Sequence, residues 1–379
     1  MTYKVAYATG SRADYGIVRR FLGYLQHDKD IHLDILVTGS LLEKEYGKSY
    51  TLIEEDGFHI NCKIPLTLNS ISNAYIIKSM AIALEKFGDY FEENQYDLLI
   101  ILGDRYEMLS VAIAAAMNKI PILHIHGGEI TLGNYDEFIR HSITKMSHYH
   151  FTSTEEYRNR VIQLGENPQN VFNIGAMGSE NCKNIDIQNV SNEIINLPIK
   201  KYFVVLFHPE TLTDISPIHQ IDILLDAIEI YINQYQFIFI GSNADTGSAQ
   251  IREAIKTFVD MHESARYFEN LHPDAYHYLV KNSIALIGNS SSGIIEAPTL
   301  ETYTINIGDR QKGRVRGESI FDIDCQKEFI ISAIDKVCKL KTRIFTNPYY
   351  QENSSHLAYI HLKKILELKT DIKEFYDLK

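Results

Sequence analysis

The chain has 379 residues, a length that is typical of two domains of ordinary size. Hydrophobic residues make up 45% and charged residues 23%, as in an ordinary globular protein. The formal net charge of −12 argues against a general binder of nucleic acid or of anionic membranes, because such partners require a positive field. An anionic ligand would have to be held by a local cluster of arginines.

Cysteine use and the N-terminal sequence favour a cytoplasmic protein. The four cysteines show neither CxxC spacing nor a nearby histidine at zinc-ligand spacing, which predicts free thiols in a reducing compartment. The first residues lead into a strand-like segment without the features of a secretory signal. The sequence contains no run of about 18 apolar residues, so no transmembrane helix is predicted. We therefore expect no nucleic-acid or membrane partner.

Short apolar runs alternate with helical patterns along the first half of the chain. Strands are predicted at residues 4–8, 32–37, 98–102, 121–125, 150–152 and 171–174. Helices are predicted at residues 15–26, 76–91, 106–117 and 136–147. Because strands and helices alternate, the pattern predicts parallel βαβ units.

The second half repeats this alternation after a polar stretch at 179–196, which is our candidate linker. Strands are predicted at residues 202–207, 237–240, 266–268, 284–287 and 302–307. Helices are predicted at residues 221–235 and 275–282, and a final amphipathic helix at 354–368. The chain is therefore predicted to form two α/β units of similar construction.

Polar side chains follow two strands of the first half, at the ends where open α/β sheets carry their chemistry. Arg12 lies in a glycine-containing turn that offers a phosphate a helix N-terminus and a guanidinium. The alternative is an ordinary turn in which Asp14 caps the helix. Asp104 and Arg105 end a very apolar strand, a placement that suits base catalysis or phosphate binding. It equally suits a structural salt bridge that caps the next helix.

The segment His124-Ile-His126-Gly-Gly-Glu129 places two imidazoles and a carboxylate close together. Since alternating residues of a strand point to one face, His124 and His126 are predicted to share a side. The group suits acid/base catalysis or structural hydrogen bonding, and no zinc site is expected because no third ligand has a suitable spacing. Asp136 and Arg140 are four residues apart and share a helix face. They are either active-site residues or a surface ion pair.

Three segments of the second half suit an anionic ligand. His208 follows a strand and is placed to bind or protonate a phosphate, or to serve as a capping or core histidine. The turn at 288–296 offers hydroxyls and amides to a diphosphate, with Glu296 positioned for ribose hydroxyls. A glycine-rich basic loop contains Arg310 and Arg314, which suggests an anion clamp or a solvated loop.

Together these segments resemble the UDP-N-acetylglucosamine 2-epimerases, most closely the hydrolysing branch that initiates bacterial sialic acid synthesis. The resemblance covers nearly the whole chain and is most specific at 124–129, 136–145, 288–296 and 306–313. It implies an α/β fold of the GT-B type, with two Rossmann-like domains whose parallel sheets face a central cleft. We predict domains at 1–178 and 179–352, and a helix in 353–379 that crosses back to the first domain.

The resemblance also implies roles for individual residues. Positions that bind the UDP moiety are matched by Arg12, Arg105, His208, Asn243, Ser290, Ser291, Glu296 and Arg310, and we add Arg140 and Arg314 as further candidates. Asp104 and Asp136 match acidic residues proposed for catalysis, and His124 matches an active-site histidine. Many relatives have a catalytic glutamate where this chain has His126, so His126, Glu129 or Asp136 takes that role. We expect neither a cofactor nor a metal. The resemblance also implies that the protein forms a homodimer or a homotetramer.

The implied reaction releases UDP and N-acetylmannosamine through a 2-acetamidoglucal that is then hydrated. Removal of the weakly acidic C2 proton requires a base beside C2 and carboxylates that stabilise positive charge at C1, for which we choose Asp104 and Asp136. Alternatives are a hydrolysing 2-epimerase for UDP-2,4-diacetamido-2,4,6-trideoxyhexose of the legionaminic acid pathway, a non-hydrolysing epimerase, and a GT-B glycosyltransferase. A metallophosphoesterase or a non-enzymatic sensor fits the motifs less well.

Overall fold

Two parallel sheets organise the part of the chain that the computed structural model describes, namely residues 2–44, 48–66, 72–210, 212–242, 245–341, 343–368 and 372–378. The first sheet contains β1 (Tyr3–Thr9), β2 (Ile31–Val37), β3 (Ile60–Lys63), β4 (Leu98–Leu102), β5 (Ile122–Ile125), β6 (Tyr149–Thr152) and β7 (Val171–Asn173). Their spatial order is β3-β2-β1-β4-β5-β6-β7. The strand order reverses between β1 and β4, which opens a crevice at the carboxyl ends of these strands.

The second sheet has the same arrangement. It contains β8 (Tyr202–Leu206), β9 (Gln236–Ile240), β10 (Ala265–Phe268), β11 (Ala285–Gly288), β12 (Tyr303–Ile307) and β13 (Ile320–Ile323). The spatial order is β10-β9-β8-β11-β12-β13, so the reversal lies between β8 and β11. All strand pairs are parallel in both sheets of the described chain, which confirms the prediction of two parallel α/β units.

Helices connect the strands and cover both faces of each sheet. The first half contributes α1 (Arg12–His27), α2 (Thr51–Glu55), α3 (Asn73–Glu93), α4 (Tyr106–Met117), α5 (Asp136–Met146), α6 (Glu155–Gln163), α7 (Met177–Asn181) and α8 (Asn192–Ile195). The second half contributes α9 (Pro217–Glu229), α10 (Ser248–Met261), α11 (Pro273–Asn282), α12 (Ser292–Ile295), α13 (Lys327–Lys339) and α14 (Ser354–Glu367). None of these described helices has the length and apolar character needed to cross a bilayer.

The predicted elements are confirmed, with shifts at their ends, but two edge strands and helices such as α6 and α13 were not predicted. The sequences of β3 and β13 lack a continuous apolar run, because their residues are half-buried or exposed. Asp14 is not the N-cap of α1: the Ser11 hydroxyl accepts a hydrogen bond from the Asp14 amide at 3.2 Å. The polar stretch 179–196 is no open linker, since it contains helical turns with buried residues such as Ser179 and Glu180.

Packing joins the two halves and brings the last helix back to the first. Ala358 and Leu362 of α14 are buried in the core between α1 and the first sheet. A small cluster that includes Tyr157, Ile294 and Tyr349 contains residues of both halves. The helix α14 therefore packs in the core of the first half, whereas the division into domains at 178 and 352 stays a prediction.

Candidate active site

Two adjoining cavities, of about 150 and 110 Å³, lie where the carboxyl ends of the two sheets face each other. We call the larger one the arginine cavity, since it is lined by Arg12 and Arg310 together with His208. We call the smaller one the carboxylate cavity; its acidic lining residues are Asp14, Asp104, Glu129, Asp136 and Asp245. His126, Ser291 and Arg310 line both cavities and therefore mark their junction. A ligand that spans the junction would present an anionic part to arginines and another part to carboxyl groups.

Asp104 follows β4 and is held in place from behind by Arg140. The Arg140 guanidinium donates to the Asp104 carboxylate, to the Glu129 carbonyl at 2.8 Å and to the Thr131 hydroxyl at 2.9 Å. Burial raises the pKa of Asp104, but the positive charges of Arg140 and Arg314 outweigh it and hold the pKa below its ordinary value. Asp104 is thus an ionised carboxylate at the wall of the cavity.

Arg140 itself is fully buried and lines neither cavity. The alternative of a surface ion pair with Asp136 is wrong, because the Arg140 guanidinium turns inward to Asp104 and Glu137 instead. Its predicted contact with UDP has no support in this geometry. The residue acts on the site by positioning Asp104.

Asp136 begins α5 and has the opposite protonation behaviour. Burial and the neighbouring negative charge of Asp104 raise its pKa to about 6, although Arg310 lies 3.8 Å away. The Asn134 amide donates to its carboxylate at 3.1 Å. Two carboxyls in one cavity with pKa values pushed apart form a typical acid/base arrangement. One of them stays charged while the other exchanges its proton near neutral pH.

His126 and Glu129 form a second pair at the junction of the cavities. The Nδ1 atom of His126 lies 3.2 Å from Oε1 of Glu129, which also accepts from the Ser153 hydroxyl at 2.7 Å. The other Glu129 oxygen forms an ion pair with Arg314 of the second half. Burial raises the pKa of Glu129, yet the positive charge of Arg314 and the contact with His126 hold it well below its ordinary value. Glu129 is therefore ionised and fixed on both oxygens.

His124 lies beneath the site rather than in it. Its Nε2 faces the Gly103 carbonyl at 2.7 Å and its Nδ1 faces the Thr144 hydroxyl at 3.0 Å. Burial lowers its pKa to about 3, so the ring is neutral and supports the turn before Asp104. The prediction that both histidines share one face is wrong, because β5 ends before His126, whose φ of 66° turns the chain away.

Arg105 and two acidic residues close the other side of the carboxylate cavity. The Arg105 guanidinium donates to Glu107 at 2.8 Å and to Asp245 at 3.4 Å, so the alternative of a structural salt bridge with Asp104 is wrong. Asp14 lies nearby, and burial raises its pKa to about 7. Its Oδ2 atom is buried without a hydrogen-bond partner in the described part of the chain. Asp14 is thus a carboxyl that retains its proton over part of the neutral range.

His208 lies in the arginine cavity as a neutral imidazole. Burial, then the positive charges of Arg310, Arg105 and Arg12, hold the pKa of His208 well below its ordinary value. Asn289 fixes the backbone of His208 through two hydrogen bonds of 2.8 Å, one to its amide and one to its carbonyl. The guanidiniums of Arg12 and Arg310, which line the same cavity as this uncharged ring, make a positive site in an acidic protein, and such a site suits a diphosphate.

The remaining predicted residues lie around the same cavity. Ser290, Ser291 and Glu296 line it, and Glu296 lies 3.6 Å from Nε2 of His277. The Arg310 guanidinium donates to the Asn289 carbonyl at 3.2 Å, which fixes its direction. Asn243 lies outside the residues that the structure describes.

Several lining residues were not identified from the sequence. They are Asp14 and Asp245 in the carboxylate cavity, and Tyr276 and His277 in the arginine cavity. Asp245 follows β9 and would have been found by the same strand-end rule that identified Asp104. His277 lies in the middle of α11 and carries no such signal. In the described residues, no group of acidic, histidine and cysteine side chains has the arrangement of a metal site.

Comparison with known proteins bears on this arrangement. The family model for UDP-N-acetylglucosamine 2-epimerase matches residues 24–363. The chain is 49% identical to polysialic acid biosynthesis protein P7 of Escherichia coli, over 99% of this chain and 97% of that protein. It is 41% identical to GDP/UDP-N,N'-diacetylbacillosamine 2-epimerase (hydrolyzing) of Campylobacter jejuni, over 84% of each.

A solved structure of the same fold is UDP-GlcNAc 2-epimerase from Neisseria meningitidis bound to UDP-GlcNAc. Its TM-score is 0.77 at 17% identity, over 95% of this chain and 100% of that one, which confirms the predicted GT-B-like fold. The family model spans most of the chain, and both relatives share more than a third of their residues with it. The chain therefore belongs to the UDP-N-acetylglucosamine 2-epimerase family and is an enzyme that acts on nucleotide sugars.

Proposed function

We propose that the protein is a hydrolysing 2-epimerase that converts UDP-N-acetylglucosamine into UDP and N-acetylmannosamine, the first step of sialic acid biosynthesis. One observation supports this most directly: the ionised Asp104 and the proton-exchanging Asp136 line a cavity that opens onto a cluster of arginines. The polysialic acid relative from Escherichia coli supports the pathway. The name of the Campylobacter jejuni relative supports the hydrolysing reaction.

In this proposal the UDP moiety occupies the arginine cavity. Arg12, Arg310 and the hydroxyls of Ser290 and Ser291 hold the diphosphate, whose negative charge grows as the bond to C1 breaks. Glu296 is placed to accept hydrogen bonds from ribose hydroxyls. The sugar lies across the junction, with C1 and C2 in the carboxylate cavity.

Elimination then proceeds with Asp136 as the base. The C2–H bond breaks and its proton passes to Asp136, whose pKa of about 6 suits proton transfer near neutral pH. The electron pair forms the C1–C2 double bond, and the C1–O bond breaks with its pair leaving on UDP. Asp104, held ionised by Arg140, stabilises the positive charge that develops at C1.

Hydration of the 2-acetamidoglucal completes the reaction. A proton returns to C2 from the opposite face of the ring, the oxygen of water bonds to C1, and one O–H bond of that water breaks as its proton is released. Asp136 passes the proton it took from C2 to solvent before the next turnover. We assign the returning proton to Asp14, since its raised pKa keeps the carboxyl protonated over part of the neutral range. Because the proton is added to the face opposite the one it left, the product has the manno configuration.

Proton NMR of the purified enzyme with UDP-N-acetylglucosamine in D2O tests the proposal. We expect free UDP and N-acetylmannosamine that carries deuterium at C2. A product that remains attached to UDP would indicate a non-hydrolysing epimerase. Absence of any UDP release until a sugar acceptor is added would indicate a glycosyltransferase.

A second candidate substrate is a UDP-2,4-diacetamido-2,4,6-trideoxyhexose, as in legionaminic acid synthesis. The specific support is the 41% identity to the Campylobacter jejuni diacetylbacillosamine enzyme. The kcat/KM values for the two UDP-sugars, measured under identical conditions, decide between them. We expect a higher value for UDP-N-acetylglucosamine, and the reverse order would replace our first proposal.

A further inference from the structure

His126 is the side chain whose position the elimination step leaves unexplained. It lines both cavities, so it lies beside the point where the sugar meets the diphosphate in the proposed complex. The side chain is almost fully buried, and its Nε2 makes no hydrogen bond within the described part of the chain. His126 therefore has an unsatisfied buried nitrogen on a ring that lies where the two cavities meet, and such a nitrogen calls for a polar partner such as water.

The contact with Glu129 determines which nitrogen carries the proton. Glu129 is ionised, so its oxygen can only accept, and Nδ1 of His126 must donate across the 3.2 Å contact. In the neutral tautomer the lone pair is then on Nε2, the nitrogen that has no hydrogen-bond partner in the described part of the chain. A carboxylate that orients a histidine in this way is the arrangement by which serine hydrolases prepare their base.

The backbone holds the ring at the junction at some cost. His126 has a φ of 66°, in the left-handed region that L-residues with side chains seldom occupy. Gly128 continues the turn with a φ of 80°, and a Cβ there would lie 2.5 Å from the Tyr157 carbonyl oxygen. Such a conformation persists only where the surrounding structure enforces it, and it is concentrated at functional sites.

We propose that His126, oriented by Glu129, is the catalytic base that activates the water attacking C1; this inference rests on the proposed hydrolysing function. As the proton arrives at C2, positive charge develops at C1 and the water oxygen bonds there. The O–H bond of that water breaks and its proton passes to Nε2. His126 later releases this proton to solvent when the product leaves.

Arg314 connects this base to the nucleotide site. Arg314 forms an ion pair with the Glu129 oxygen that His126 does not contact. Arg314 and Glu129 are 185 positions apart in the chain. The same loop presents Arg310 to both cavities. Arg316 fixes the loop by donating to the carbonyls of Arg314 at 2.7 Å and Gln311 at 3.0 Å. Contact with the diphosphate and alignment of the His126 base therefore depend on one loop of the second half.

His126→Gln tests the assignment, with proton NMR following UDP, 2-acetamidoglucal and the manno sugar together. We expect the variant to release UDP while hydration slows by about 10²–10⁴-fold, so that 2-acetamidoglucal accumulates. His219→Gln, on the exposed surface of α9, is the matched control and should give the wild-type ratio of products. A His126→Gln enzyme that forms the manno sugar without accumulating the intermediate would overturn the assignment.

Two further measurements separate the remaining outcomes. Loss of UDP release with unchanged UDP affinity by calorimetry would place His126 in the elimination step and overturn the inference. Should His126→Gln not fold, Glu129→Gln decides: we expect more intermediate relative to product, and an unchanged ratio contradicts the proposal. If the wild-type enzyme forms no manno sugar at all, the proposed function fails first, independently of any variant.

Discussion

Arg140→Met tests whether a residue that touches no ligand sets the charge of Asp104. The Arg140 side chain is 1% exposed, and its guanidinium pairs with Asp104, whose side chain is 23% exposed. Removing one partner of a buried ion pair typically costs about 3–5 kcal/mol, because the other charge is left uncompensated. Since water reaches Asp104, we expect the lower part of that range, about 3 kcal/mol. The midpoint of thermal unfolding should fall by on the order of 10 °C.

The pH dependence identifies the cause of this loss. The folded-state pKa of Asp104 is lowered, so its ionisation stabilises the protein above the ordinary carboxyl pKa of 3.8 and ceases to do so as pH falls through the lowered value. The difference in Tm between wild type and Arg140→Met should therefore be largest near neutral pH and shrink in acid. Turnover at neutral pH should also fall, since more Asp104 is protonated.

The matched control is Arg266→Met. Arg266 forms an ion pair at 3.3 Å with Glu193, and both side chains are exposed, at 41% and 56%. Exposed pairs contribute about 0–1 kcal/mol, so Tm and turnover should change little. If Arg140→Met unfolds at the wild-type temperature with an unchanged pH profile of UDP release, the positioning role of Arg140 is wrong.

Three further predictions concern the base, the diphosphate and the turn. Asp136→Asn should abolish UDP release but keep UDP affinity. In the wild type, kcat/KM should fall as pH drops through about 6, because Asp136 becomes protonated there, and a flat pH profile would contradict this role. Arg310→Gln should weaken UDP binding in calorimetry by roughly 10- to 100-fold, as expected for a lost charged hydrogen bond, and equal affinity would refute its contact with UDP. Gly128→Ala should destabilise the fold by on the order of 2 kcal/mol, because the new Cβ meets the Tyr157 carbonyl. Gly57→Ala is the control: Gly57 has a similar φ of 83° but no neighbour within 4 Å, so this variant should lose about half as much stability. Equal losses of thermal stability in the two glycine variants would show that the contact is unimportant.

The sequence identified the pieces of the site better than their roles. Asp104, Asp136 and Arg310 were chosen because each follows a buried strand or begins the next helix, where parallel sheets carry their chemistry, and all three line the carboxylate cavity. Arg140 and His124 were chosen by the same kind of argument, yet their side chains support the site from beneath: Arg140 donates to Asp104, and His124 contacts the Gly103 carbonyl. Sequence spacing gives the face of a regular helix or strand, but it does not tell whether that face meets a ligand or another segment.

The position of His126 is a second case in which sequence spacing predicted the wrong direction of a side chain. Strand periodicity would place it beside His124, but the strand ends one residue earlier and the backbone enters the left-handed region. The two glycines that follow it were visible in the sequence as a sign of a sharp turn. At Gly128 the backbone passes so close to Tyr157 that an added Cβ would lie 2.5 Å from the Tyr157 carbonyl oxygen, and Tyr157 is distant in sequence.

The amino-acid sequence by itself determined the two parallel α/β units, the strand ends that carry polar residues and the family to which the chain belongs. These follow from local rules, since apolar runs, helical periodicity and turn residues act over a few positions. Only the tertiary structure decided which carboxyl is ionised and which retains a proton, and that Glu129 meets Arg314 across the cleft. Protonation depends on burial and on charges that folding gathers from distant parts of the chain, and no local pattern contains that information.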